Sequence, residues 1–268
     1  MQIKAIKTFL LQDFMDSLAM SGRVHSVFEH AINLEVEKTL ITLLPDADAN
    51  IPDSVVLTYK DFALLKNIKV KENILLEDKK IKIGEFEINF ANSQNFENKF
   101  SISELASNQE IENRKKQFGF YHTLPERAEA KLASLLVAIK NKDQQECENI
   151  LKTLIGLGSG LTPSADDALI GISAVIEFLT ECGIDAFNNF ADIVYKVSEN
   201  RTTDVSRKYF RCACQKRYSL PLINVVRSLL QNNYTFDFPA LAKLLNTGHS
   251  SGKDTMRGII LACKTFLS

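Results

Sequence analysis

Tryptophan is absent from this 268-residue chain, and glycine is scarce, at 11 residues. A small glycine count makes any clustering of glycines informative. Cysteine occurs five times, at Cys147, Cys182, Cys212, Cys214 and Cys263, and no two share the C-x-x-C spacing of zinc and redox sites. The count is odd, and Cys212 and Cys214 are too close for an easy disulfide. The thiols therefore read as reduced, with Cys182 and Cys263 packing as small hydrophobes. No apolar run approaches the roughly 20 residues that span a bilayer. Asp13 and Asp16 interrupt the amino-terminal apolar stretch before a signal-peptide core forms. The expectation is a cytoplasmic protein with no membrane partner. A net charge of −1 supplies no electrostatic footprint for nucleic acid.

What is present fits an ordinary globular chain long enough for two modest domains. Residues 1–95 are predicted to be β-rich. Ser26–Val36, Thr39–Pro45 and Ser54–Tyr59 are short and rich in β-branched residues. Asn73–Phe90 alternates apolar and polar residues around a turn at Glu77–Lys80 and around Gly84, the pattern of a meander with one wet face. Residues 96–122 are polar and read as a linker with one helix, from about Ser103 to Phe118, whose charges form a solvated face. From Leu124 the apolar period is helical, and Gly183, Pro221, Pro239 and Gly248 punctuate it. The fold class expected is α+β, with an N-terminal β-rich domain and an all-helical domain over 123–268 that carries the glycine motifs.

The glycines concentrate in "IGLGSGLTPSADDALIG", Ile155–Gly171. Gly156, Gly158 and Gly160 permit positive φ and a close approach of backbone to a ligand. Thr162 and Pro163 read as N-cap and first residue of a helix. A glycine loop feeding a helix N-terminus offers free N–H groups and partial positive charge, which suits a small anion. Gly158, Ser159, Gly160, Thr162 and Ser164 are the candidate ligands there. Asp166 and Asp167 suit proton transfer, orientation of a polar substrate, or a Mg²⁺ ion. The same grammar recurs in "NTGHSSGKDTMRGIILA". Ser164–Gly171 and Ser251–Gly258 both fit S-x-x-D-x-x-x-G. In each, Asp and Gly lie four apart on one helix face. A glycine inside a helix costs about 1 kcal/mol against alanine, so Gly171 and Gly258 are expected where two helices cross closely. That crossing would bring both loops to one end and gather Asp166, Asp167 and Asp254. Gly248, His249, Ser250, Ser251 and Gly252 join the candidate binding residues.

Further candidates are fewer. Thr202, Thr203 and Ser206 in "RTTDVSRKYF" form a polar cluster that suits an anion or a helix cap. Ser26 and Asn33 are polar where an ordinary strand needs fewer polar residues. His25, His30 and His122 show no ligand spacing. The second glycine loop has three residues between Gly248 and Gly252 and Asp254 after Lys253, so it is not a Walker A loop. No G-x-S-x-G elbow follows a strand, which argues against a Ser–His–Asp hydrolase.

"SVFEHAINL", "GLGSGLTPSADDALIG", "TTDVS" and "GHSSGKDTMRGI", in this order and spacing, resemble a bacterial family long labelled a domain of unknown function. It includes the AllH-type subunit of the three-component oxamate carbamoyltransferase of allantoin catabolism. Its central motif is usually G-L-G-x-G-L-T-P-S-G-D-D. Here Ser159 stands where proline is frequent, Ala165 where glycine is usual, and His30 where F-x-R-A-x-N has arginine, a change that can weaken an anion contact. The resemblance implies a carbamoyltransferase subunit that works with partner subunits to exchange oxalurate and phosphate with oxamate and carbamoyl phosphate. All of these are small anions. The residues leave two alternatives open: a non-catalytic anion- or nucleotide-binding module, and a metal-dependent hydrolase or phosphotransferase using Asp166, Asp167 and Asp254. No metal-ligand set is assigned.

Overall fold

The structure is a computed structural model that describes residues 1–9, 12–15, 19–45, 50–101, 104–118 and 122–267. The chain divides into two compact units, Met1–Asn98 and Lys99–Ser268, and its class is α+β.

The first unit contains β1 (Gln2–Lys4), β2 (Lys7–Thr8), α1 (Gln12–Met15), β3 (Met20–Val27), β4 (Ile32–Val36), β5 (Thr39–Pro45), β6 (Ser54–Leu57), α2 (Tyr59–Leu64), β7 (Asn73–Glu77), β8 (Lys80–Ile83), β9 (Phe86–Asn89) and β10 (Gln94–Asn95). One ten-stranded sheet runs β1-β9-β8-β7-β3-β4-β5-β6-β2-β10. The meander expected over 73–90 is present as β7–β8–β9. Asp78 and Lys79 take positive φ at its first turn, and Gly84 does so at the second. Two segment readings need correction. Ser26–Val36 is not one strand but the corner of the β3–β4 hairpin: the Phe28 N–H donates to the Ala31 carbonyl across the turn. Tyr59 does not end a strand but opens α2, because Thr58 caps that helix by accepting from the Asp61 N–H at 3.0 Å.

The second unit comprises α3 (Asn108–Phe118), α4 (Glu126–Lys140), α5 (Gln144–Leu154), α6 (Ser164–Glu181), α7 (Phe190–Val197), α8 (Asp204–Cys214), α9 (Leu220–Leu230), α10 (Phe238–Leu245) and α11 (Ser251–Phe266). The start expected near Ser103 for the first helix lies outside the described residues. That helix is part of this unit: Ile111 is buried in its core, and Arg114 donates to the carbonyls of Gln231 and Tyr234 beyond α9. Phe187 takes positive φ ahead of helix α7, which begins at Phe190. The five cysteines are free thiols; Cys263 is buried, and Cys182 packs at the core's margin. Among the described residues, no helix is long and apolar enough to cross a membrane.

Helices α6 and α11 make the most extensive helix–helix contact. A Cβ at Gly258 would lie 2.8 Å from the carbonyl carbon of Ala168 and closer still to its oxygen. One at Gly171 would lie 3.0 Å from the Ile259 nitrogen and press on the Thr255 carbonyl. Glycine is therefore required at both positions for the backbones to approach this closely. Gly258→Ala is expected to lower stability by about 2 kcal/mol through overpacking, against the roughly 1 kcal/mol that alanine's helix propensity alone would add. Denaturant unfolding measures this; unchanged or higher stability would contradict the crossing.

Candidate functional site

The loop between α5 and α6 turns on Gly156, Gly158 and Gly160, with φ of 83°, 126° and 95°. Alanine at any of them would be strained. Helix α6 begins at Ser164, with Pro163, not Thr162, at the cap position and no side-chain cap. This corrects the capping role expected of Thr162. Its hydroxyl instead lies 2.7 Å from that of Ser251, the first residue of α11. The N-terminal ends of the two helices thus meet through paired hydroxyls. The N–H groups of Ala165, Asp166 and Asp167 are taken by the Leu157 and Pro163 carbonyls. Those of Gly158, Ser159, Gly160 and Ser164 make no backbone hydrogen bond among the described residues.

Asp166 and Asp167 are neighbours in sequence but face different surroundings, because successive helix residues are about 100° apart. Asp166 is 1% exposed. Its carboxylate accepts from the Gly156 N–H at 2.8 Å and from the Thr202 hydroxyl. Burial raises its pKa, and these two donors oppose the rise. Asp166 thereby ties the glycine loop to the segment before α8. The same segment makes two further ties. The Thr203 hydroxyl donates to the Leu161 carbonyl while accepting from the Ser206 N–H as the N-cap of α8, and a Cβ at Gly156 would collide with the Arg201 carbonyl. Ser206 is buried beside Asp166. The Thr202 and Thr203 hydroxyls are directed at Asp166 and at the loop, and Thr203 caps α8, while Ser206 Oγ is buried without a hydrogen-bond partner.

Asp167 points the other way, toward α11. It is 7% exposed, and its Oδ2 has no hydrogen-bond partner. Burial lifts its pKa from 3.8 to about 7. The hydroxyls of Ser251 and Thr162 pull it down, and the charges of Asp254 and Asp166 push it up further. Asp254, on α11, is 2% exposed; its Oδ1 lies 2.7 Å from His122 Nε2, and its Oδ2 is buried without a partner. Two acidic side chains therefore lie near each other at the joined helix ends, each with one buried, unsatisfied oxygen.

The remaining candidates fall around or away from this centre. Gly158, Ser159 and Gly160 are exposed, and Ser164 is half-buried. Gly248 turns the second loop with φ 61°; His249 is exposed and Ser250 half-buried before α11. Gly252 lies inside α11 and not in the loop: its Cα presses on α10, where a Cβ would lie 2.7 Å from the Leu244 carbonyl carbon. Its role is packing. Ser26 and Asn33 belong to the sheet of the first unit, where Asn33 Nδ2 donates to Ser26 Oγ at 3.0 Å and Thr42 Oγ1 to Asn33 Oδ1 at 2.8 Å. Among the described residues, no three His, Cys, Asp or Glu side chains are grouped to hold a metal ion.

Two residues escaped sequence reasoning. His122 precedes α4, 132 positions before the aspartate it contacts, and only the tertiary fold joins them. Tyr209, on α8, has its phenol raised by burial first, then by Cys212 and Asp167, which puts it in the field of the same carboxylate.

Both units match models of one family. Residues 3–95 match the model described as the AllH family N-terminal domain, and residues 154–263 match the one described as the oxamate carbamoyltransferase subunit AllH. The chain belongs to the AllH family. The second match runs from the end of α5 through most of α11 and so contains the glycine loop and all three aspartates. No solved structure matches the chain.

The two aspartates differ in their expected effect on stability. Asp166→Ala strands the Gly156 N–H and the Thr202 hydroxyl and is expected to cost about 3 kcal/mol. Asp167 has its pKa raised on folding, so the folded state holds the extra proton between about pH 4 and 7. Its contribution to stability falls as pH rises through that window, by on the order of 4 kcal/mol when complete, and stays low above it. Asp167→Asn is therefore expected to match wild type near pH 4 and to exceed it at pH 8. Denaturant midpoints across this range measure the difference; a difference that does not grow with pH would contradict the buried carboxylate.

Proposed function

We propose that this chain is the subunit of an oxamate carbamoyltransferase complex that holds a small anionic substrate where α6 and α11 begin. The observation that carries this reading is the pair of buried carboxylates, Asp167 and Asp254, each with an unsatisfied oxygen, beside a loop of positive-φ glycines whose N–H groups at 158–160 make no backbone hydrogen bond among the described residues. An unsatisfied buried polar group costs about 1–3 kcal/mol and persists where function uses it.

The N–H groups of Gly158, Ser159, Gly160 and Ser164 suit a carboxylate or phosphate, with the α6 N-terminus adding partial positive charge. The reaction proposed is attack of a phosphate oxygen on the ureido carbonyl of oxalurate. A carbon–oxygen bond forms, the carbon–nitrogen bond breaks, and oxamate leaves. The departing nitrogen needs the proton that hydrogen phosphate gives up. Asp167, with a pKa of about 7, is suited to carry that proton in either direction near neutral pH. Asp254 holds His122 at the edge of the site. Partner subunits complete the enzyme, and the free thiols fit a cytoplasmic setting.

The test is reconstitution with the partner subunits and an assay of carbamoyl phosphate formation from oxalurate and phosphate. Asp167→Asn is expected to lower kcat at least 100-fold while the variant still assembles. The chain alone is expected to turn over neither substrate. Full activity of the assembled variant would contradict the proposal, as would turnover by the isolated chain.

A further inference from the structure

We propose that Ser251 is a nucleophile that carries the carbamoyl group covalently, as an ester on its Oγ, between oxamate and phosphate. This deepens the proposed function and rests on it. The carbonyl carbon of oxalurate meets phosphate only after Ser251 has taken it, so the displacement described above is divided into two.

The helix starts of this chain treat their polar side chains in two ways. Thr58 on α2, Asp143 on α5, Thr203 on α8 and Asp237 on α10 each accept a backbone N–H of their own helix. Helices α6 and α11 have no such bond, although hydroxyls stand at both starts. Those hydroxyls go elsewhere. Ser251 Oγ lies 2.7 Å from Thr162 Oγ1, and both hydroxyls hydrogen-bond the Asp167 carboxyl. Asp167 is 7% exposed and keeps one oxygen without a partner, while Ser251 is half-buried. A shielded base in contact with a hydroxyl that solvent reaches, and a second hydroxyl orienting both, is the arrangement that activates a nucleophile. Ser251 is the primary alcohol of the two and the less hindered. It also opens a helix of 16 residues, where the N–H groups of Ser251 and Lys253 make no backbone hydrogen bond among the described residues. Such donors suit the oxygen that gains charge when a carbonyl is attacked.

The steps balance with Asp167 as the proton carrier, its pKa of about 7 suiting both directions. Ser251 Oγ attacks the ureido carbonyl of oxalurate and its proton passes to Asp167. The carbon–nitrogen bond breaks, and Asp167 gives the proton to the departing nitrogen of oxamate. An oxygen of hydrogen phosphate then attacks the carbamoyl-serine and releases its proton to Asp167. The bond from carbon to Oγ breaks, carbamoyl phosphate leaves, and Asp167 returns the proton to Ser251.

Exchange of labelled phosphate into carbamoyl phosphate tests the proposal, in the complex of the full chain with its partner subunits and with oxamate and oxalurate left out. A carbamoyl-serine forms and reverts without oxamate, so wild type is expected to exchange the label; a single displacement needs oxamate as acceptor and exchanges none. Ser251→Ala is expected to lower both this exchange and carbamoyl phosphate formation from oxalurate by roughly 100-fold or more. Thr162→Ala removes the same hydroxyl contact but keeps the nucleophile, and is expected to stay within about tenfold of wild type. Equal loss in the two variants would make Ser251 a structural partner and overturn the inference, as would exchange that survives Ser251→Ala. Turnover of oxalurate with label exchange only when oxamate is added also overturns it and leaves the proposed function standing. Exchange that depends on Ser251 without any turnover of oxalurate does the reverse. Neither exchange nor turnover overturns both.

Discussion

The site depends on one close approach, that of α6 and α11 at Gly171 and Gly258. The Gly258 Cα sits against the Ala168 carbonyl, and the Gly171 Cα against that of Thr255. No side chain fits between the backbones there. Each helix carries an aspartate four residues before its crossing glycine, on the same face. The contact that joins the helices therefore also brings Asp167 and Asp254 near each other. The hydroxyl pair Thr162–Ser251 joins the two helix starts, which sets the glycine loop beside both carboxylates.

This arrangement is costly, and the cost is divided unevenly. Asp166, the most deeply buried of the three, has its charge met by a backbone N–H and a hydroxyl. Asp167 and Asp254 keep an unsatisfied oxygen each. A fold optimised for stability alone would replace these with apolar or neutral side chains, since a buried polar oxygen without a partner costs free energy. The surrounding structure compensates through the large helical core and through the clamp that Arg201, Thr202 and Thr203 place on the loop. The clamp holds the loop without using the N–H groups of Gly158, Ser159 and Gly160, which make no backbone hydrogen bond among the described residues.

Much of this was legible in the sequence, for identifiable reasons. The repeated S-x-x-D-x-x-x-G pattern revealed the helix crossing, because glycine inside a helix needs a steric reason. Positive φ at Gly156, Gly158 and Gly160 followed from their density in one loop. The meander over 73–90 followed from strict alternation. Other features depend on distant partners. Nothing in "TTDVS" says that its hydroxyls turn inward to Asp166 and Leu161. Thr162 reads as a cap because it precedes proline and serine, yet Ser251 competes for its hydroxyl from 89 positions away. Gly252 reads as loop because it follows Gly248, but its contact is with Leu244 of the preceding helix. His122 has no local signature at all. The opposite fates of Asp166 and Asp167 are set by a rotation of one residue on a helix whose start the sequence locates only to within a residue or two.

Asp167 is a buried carboxyl in the field of Asp254. Carbon-13 NMR of the Asp167 carboxyl, followed through a pH titration in wild type and in Asp254→Asn, tests it most directly. A midpoint near 7 is expected in wild type and a lower one in the variant, where a neighbouring negative charge is gone. A midpoint near the ordinary aspartate value of about 4, unmoved by Asp254→Asn, would contradict it and with it the paired-carboxylate site.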